Sequence, residues 1–155
     1  MEKKDPFRPL DDEARALMVE LLGADHAALA VINPETGSPS VTRIGFVWLE
    51  GQAFTLISTL SGHTAALEAN PACGVMVGSP GPKGDPLTHP RLSLEARAEV
   101  ADKAAWRAHY LAARPKVKLY YDFSDFRLVR FEVQSGLLNG GFGKAFKVTA
   151  ADLPK

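Results

Sequence analysis

The stretch of the chain best suited to hold a charged ligand is Ser58-Thr59-Leu60-Ser61-Gly62-His63-Thr64. An apolar run ends there and a short helical pattern begins, closed by Asn70-Pro71. The first turn of a helix leaves N–H groups unpaired at the positive end of the helix dipole, and Ser61 and Thr64 add hydroxyls while Gly62 adds freedom of approach. That chemistry suits a phosphate. Arg43 lies on the preceding hairpin, where strand pairing can bring its guanidinium towards the same end for a bidentate contact. Taken singly, a Ser-Gly helix start ordinarily satisfies only backbone groups, and a hairpin arginine is ordinarily a solvated charge.

Other candidates carry less chemistry. His26, His63, His89 and His109 have no ligand spacing between them and no cysteine cluster beside them, so no metal site is expected. Cys73 falls within the apolar run 72–77 and reads as buried and inert. Gly140-Gly141-Phe142-Gly143 is a turn whose functional reading is close backbone approach to a flat ligand, with Phe142 available to pack on it. The long loop Ser79 to Pro90 leads into Arg91, the first residue of the cleanest strand pattern. No side chain stands out as a general acid or base.

The elements that position these residues follow from periodicity. Asp11 to Leu22 reads as a helix closed by Gly23, and Ala27 to Ile32 with Ser40 to Glu50 as a hairpin. Within the latter, Ile44, Phe46 and Trp48 form one face, while Val41, Arg43, Gly45, Val47 and Leu49 form the other. Strands are expected at 53–59, 72–78 and 91–100, with Leu92, Leu94, Ala96, Ala98 and Val100 on one face of the last. A helix capped by Asp102 carries Trp106, Tyr110 and Ala113, and two separate strands at 126–133 and 136–138 precede a final one at 145–148. Closely spaced antiparallel strands with a few inserted helices predict an α+β, mainly β fold, a Greek-key-like barrel. One domain is expected over residues 11–150, with tails at 1–10 and 151–155.

Composition bounds the partners. The 155 residues include 18 basic and 18 acidic side chains, 46% hydrophobic and 23% charged residues, and a single cysteine. Zero net charge argues against nucleic-acid and membrane-surface binding, which need a basic surplus. The start shows no secretory pattern and no apolar run approaches the ~20 residues of a membrane span, so a cytoplasmic protein is expected.

The residues from Leu56 to Thr64, with Leu67 and Asn70-Pro71, resemble the phosphate-binding unit of the pyridoxamine 5'-phosphate oxidase-like, FMN-binding split β-barrel family. Gly84-Asp85-Pro86-Leu87, Pro90-Arg91-Leu92, Tyr110 to Pro115, Tyr121 to Phe126 and Gly140 to Ala145 add a similarity to its HugZ-like branch, without that branch's C-terminal haem-ligand domain. The resemblance implies an FMN-dependent oxidoreductase with FMN as cofactor, and a homodimer with flavin sites at the subunit interface. The alternative it leaves is a non-catalytic flavin- or haem-binding module related to HugZ-type haem-degrading proteins. It implies cofactor contacts from Arg43, Ile44, Gly45 and Phe46, from Ser58, Thr59, Ser61, Gly62, His63 and Thr64, and from Arg91, Phe142, Gly143 and Lys144. The Arg-Lys pair and C-terminal Arg-His signature of true pyridoxamine phosphate oxidases are missing, so that reaction is not expected.

Overall fold

The computed structural model describes residues 3–155. Helix α1 (Asp12–Leu22) starts where Asp11 accepts a hydrogen bond from the Ala14 N–H at 2.8 Å, and buries Ala14, Met18, Leu21 and Leu22. Strands β1 (His26–Ile32) and β2 (Pro39–Gly45) form the expected hairpin, with Ala28 opposite Arg43 and Ala30 opposite Val41.

The expected single strand from Ser40 to Glu50 is broken. Phe46 leaves the ladder and donates its N–H to the Asp25 carbonyl at 2.9 Å, and the chain resumes as β3 (Val47–Leu49). The cause is packing, because Phe46 and Val47 are adjacent and both buried, each in a different apolar cluster. A continuous strand sends neighbouring side chains to opposite faces of one sheet, so it could bury both only if both faces were covered there. Glu50 and Gly51 then turn the chain at φ 47° and 74° into β4 (Gln52–Ser58).

After helix α2 (Gly62–Ala69) come β5 (Ala72–Val77) and β6 (Arg91–Val100), then helix α3 (Lys103–Ala113), β7 (Phe126–Asn139) and β8 (Ala145–Thr149). The sheet runs β2-β1-β5-β6-β7-β4-β3, all antiparallel, with β8 paired to the second half of β7. Because β2 continues into β3, the sheet curls until its two ends meet. The Thr55 hydroxyl on β4 donates to the Gly45 carbonyl at the end of β2, at 2.6 Å.

Strand β7 is one element of 14 residues rather than the two expected. Gly136, which suggested a break, sits inside the ladder because space is missing: a Cβ there would lie 2.9 Å from a Leu94 methyl. A register shift between Glu95 and Ala96 absorbs the extra residue opposite it.

Two apolar clusters hold the fold. The larger fills the barrel and includes Met18, Leu29, Ile44, Phe46, Val75, Leu92 and Phe131. The smaller lies under α3, where Tyr110 and Tyr121 pack on Val47, Phe54, Leu56 and Leu128. Towards the two ends of the described residues, Phe7 bridges Ala145 and Lys155 passes beside Gly51.

Candidate functional site

The β4–α2 junction is built by the hydroxyls expected to hold a ligand. Ser58 donates to the Asp125 carboxylate at 3.0 Å and accepts from the Leu60 N–H at 3.1 Å. Thr64 is buried and donates to the Ser58 carbonyl, while the Thr59 N–H donates to the Asp125 carbonyl at 2.6 Å. Ser61 occupies the N-cap position of α2, but its side chain makes no cap bond.

What the junction presents outward is His63. Its Nδ1 lies 3.1 Å from the Thr42 hydroxyl of β2, and with Ser61, Gly62, Thr42 and Asn33 it lines a groove of about 550 Å³. Burial lowers the His63 pKa below the ordinary imidazole value, which keeps the ring neutral near pH 7.

Arg43 does not line that groove. Strand alternation turns its side chain away from that of Thr42, and it lines a second groove of about 370 Å³ with His26, Met76, Gly78 and Ser79, a groove that Thr42 also borders. Among the described residues Arg43 has no acid partner. Ala28, Val41 and Met76 also line a third hollow, an apolar trough of about 700 Å³ across the outer face of the sheet. Small residues form its floor, among them Ala30, Gly74, Ser93 and Gly136. Trough and Arg43 groove are therefore one continuous surface, mostly apolar, with Arg43 in the groove at one end and Glu95 and Lys147 in the lining of the trough.

The remaining expected residues fall around this surface. Ile44 and Phe46 are buried and back β2 from within the barrel, and Gly45 receives Thr55. Arg91 reaches the same rim as Arg43, since Gly78 packs against its backbone, but its guanidinium donates to the Leu87 and His89 carbonyls at 3.2 and 3.3 Å. Phe142 is 79% exposed, Gly143 turns the loop at φ 68°, and Lys144 lies 3.8 Å from Glu13 on α1. Cys73 is partly buried, with its thiol pushed up to about 11, mainly by burial.

The sequence reading missed Met76, His26, Ser79 and Arg114. Arg114 donates to the carbonyls of Ala24 and Phe46, at 2.8 and 3.2 Å, and so pins the break in β2–β3 to the end of α1. Its position just before Pro115 offered a signal only for a helix end.

An antiparallel sheet curled on itself with a helix-capped strand end defines the split-barrel class. The chain belongs to the pyridoxamine 5'-phosphate oxidase family, whose model matches residues 10–139. It is 33% identical to the chloroplastic haem oxygenase HOZ of Arabidopsis thaliana over 71% of this chain, and spans 34% of the length of that protein. It is 29% identical to the haem oxygenase HutZ of Vibrio cholerae, covering 81% of this chain and 74% of HutZ. A haem-binding protein from Mycobacterium smegmatis superposes with a TM-score of 0.80 at 27% identity, covering 94% of this chain and 60% of that one. These relatives overturn the expectation of FMN as cofactor, because the ligand in their names is haem. Arg43 and the α2 start line two grooves that share Thr42 of β2, and the Ser58 and Thr64 hydroxyls are engaged within the fold. Among the described residues, no helix is long and apolar enough to cross a membrane.

Proposed function

We propose that this chain binds haem on the outer face of its barrel, as one half of a homodimer in which each haem lies between the two copies. The observation that carries this is the end of the trough where Ala28, Val41 and Met76 run into Arg43, which has no acid partner among the described residues, while the charged Glu95 and Lys147 line the trough elsewhere. A haem combines a flat apolar body with carboxylates along one edge, and that combination is what the surface matches. Arg43 would take a carboxylate in its fork, Ala28, Val41 and Met76 would meet the macrocycle, and the Met76 thioether is a sulfur donor for the iron. Bound haem supplies a redox-active iron, while the chain binds it, orients its edge and excludes water from one face.

The dimer reading rests on exposed apolar surface. Val41 is 68% exposed and Leu137 51%, and both line a trough with little polar surface to hold water in place. A second copy covers it.

Titration of haemin into the purified protein tests the reading. Saturation near one haem per chain with a shifted Soret band is expected, and a spectrum unchanged from free haemin overturns it. Addition of ascorbate in air then separates a haem-degrading protein, whose Soret band decays, from one that only binds.

A further inference from the structure

Three side chains at the rim of this surface stand in a relay of their own. Asp25 closes the turn between α1 and β1, His26 opens β1, and Ser79 follows the end of β5. Pairing of β1 with β5 brings His26 and Ser79 together across 53 positions of sequence. The Asp25 carboxylate lies 2.6 Å from Nδ1 of His26, and the Ser79 hydroxyl lies 3.0 Å from Nε2. A carboxylate only accepts, so it fixes the proton of the neutral ring on Nδ1 and leaves Nε2 to accept from the serine. A hydroxyl, a base aimed at it and an acid that orients the base are the parts of an activated serine.

The backbone supports the presentation of Ser79. Gly78 has φ 110°, and a Cβ there would lie 2.6 Å from the Pro90 carbonyl, so only glycine allows the sharp exit of β5 that carries the serine. Arg43 lines the same groove and supplies a cation for a substrate anion. Asp25 is held ionised chiefly by its hydrogen bond to His26, with a smaller contribution from the charge of Arg114, whose guanidinium donates to the Ala24 carbonyl.

We propose that Ser79, His26 and Asp25 form a hydrolytic site for small esters that carry a free carboxylate, with Arg43 receiving that carboxylate. The Ser79 oxygen bonds to the ester carbonyl carbon while its proton passes to Nε2 of His26. The carbon–oxygen bond to the alcohol then breaks, and the alcohol leaves with that proton. Water next adds to the acyl-serine through the same base, releasing the carboxylic acid and restoring the hydroxyl. No oxidant or metal takes part, and the site functions in the haem-free protein, independently of the haem reading.

The relay is open to water, with the His26 side chain 46% exposed, so turnover is slow and is read against variants of the same protein. With the 4-nitrophenyl monoester of succinic acid as substrate, Ser79→Ala and His26→Gln are each expected to lower kcat/KM at least thirtyfold, and Asp25→Asn at least tenfold. Arg43→Ala is expected to reduce the preference for that ester over 4-nitrophenyl acetate about tenfold. A fluorophosphonate probe should add its mass to the peptide that contains Ser79 in the wild-type protein. Hydrolysis no faster than in Ser79→Ala, or labelling confined to other peptides, overturns the proposal.

Discussion

The Thr42 hydroxyl and Nδ1 of His63 lie 3.1 Å apart, joining the middle of β2 to the first turn of α2 across the mouth of a groove. The contact holds a half-buried imidazole whose pKa burial has lowered below the ordinary value of about 6.5. Protonation in the folded state therefore lags behind protonation in the unfolded chain. The stability His63 contributes is complete above pH 6.5 and is lost as pH falls from there towards the folded-state value. Urea unfolding at pH 7.5 and 5.5 should show a smaller pH-dependent loss in His63→Gln than in the wild type. Equal losses would count against the burial.

Arg114 joins three elements, through carbonyls of Ala24, Phe46 and its own helix end. Removing it leaves partly buried carbonyls without a charged donor. Arg114→Ala should cost about 2–4 kcal/mol, read as a lower urea midpoint with an unchanged slope. Arg114→Lys should recover only part of this, since an ammonium cannot reproduce the fork.

Gly78 tolerates no side chain: its φ of 110° and the 2.6 Å approach of the Pro90 carbonyl oppose a Cβ independently. Gly78→Ala should destabilise by about 2 kcal/mol or more. Thermal melts compared with Gly62→Ala, where nothing lies within 4 Å of the new atom, provide the control.

Arg43→Ala should weaken haemin binding about tenfold to a hundredfold, the effect of losing one charged hydrogen-bonding partner. Haem quenching of the protein's tryptophan fluorescence measures this directly. An affinity equal to wild type would move the carboxylate contact elsewhere.

If two copies meet on the trough, a charge in its wall should part them. Val41→Glu should shift the sedimenting species from dimer to monomer at micromolar concentration while leaving the secondary structure intact. A wild-type protein that sediments as a monomer removes the shared-site arrangement.

Much of the scaffold is legible in the residues because local patterns coincide with tertiary burial. The Asp11 and Asp102 caps, the alternation of β6 and the stop at Gly23 all lie where periodicity puts them. The break at Phe46 is not legible, because adjacent apolar residues do not reveal that two separate clusters await them. Gly136 misleads for a related reason: it reads as a terminator, whereas the Leu94 side chain across the ladder demands its missing Cβ. For the site, Arg43, the α2 start and the alternation that sets Arg43 apart from Ile44 are legible, but the contact of Thr42 on β2 with His63 on α2 is tertiary and no local spacing encodes it. The meeting of His26 with Ser79 depends on a pairing between strands far apart in the chain, which no local spacing encodes.

Strand β7 bonds to β6 along nearly its whole length, to β4 at one end and to β8 at the other. Neither end can fray without releasing a second ladder. Amide protons at Leu128, Val129 and Phe131 should therefore exchange with deuterium only when the whole barrel opens, whereas those of β2, at the end of the sheet order, exchange through local excursions. The trough is thus anchored at one side on β7, held by three ladders, and bounded at the other, where Arg43 sits, by a strand at the end of the sheet order. An end strand that opens without global unfolding would be suited to close on the edge of the proposed ligand after its body has settled.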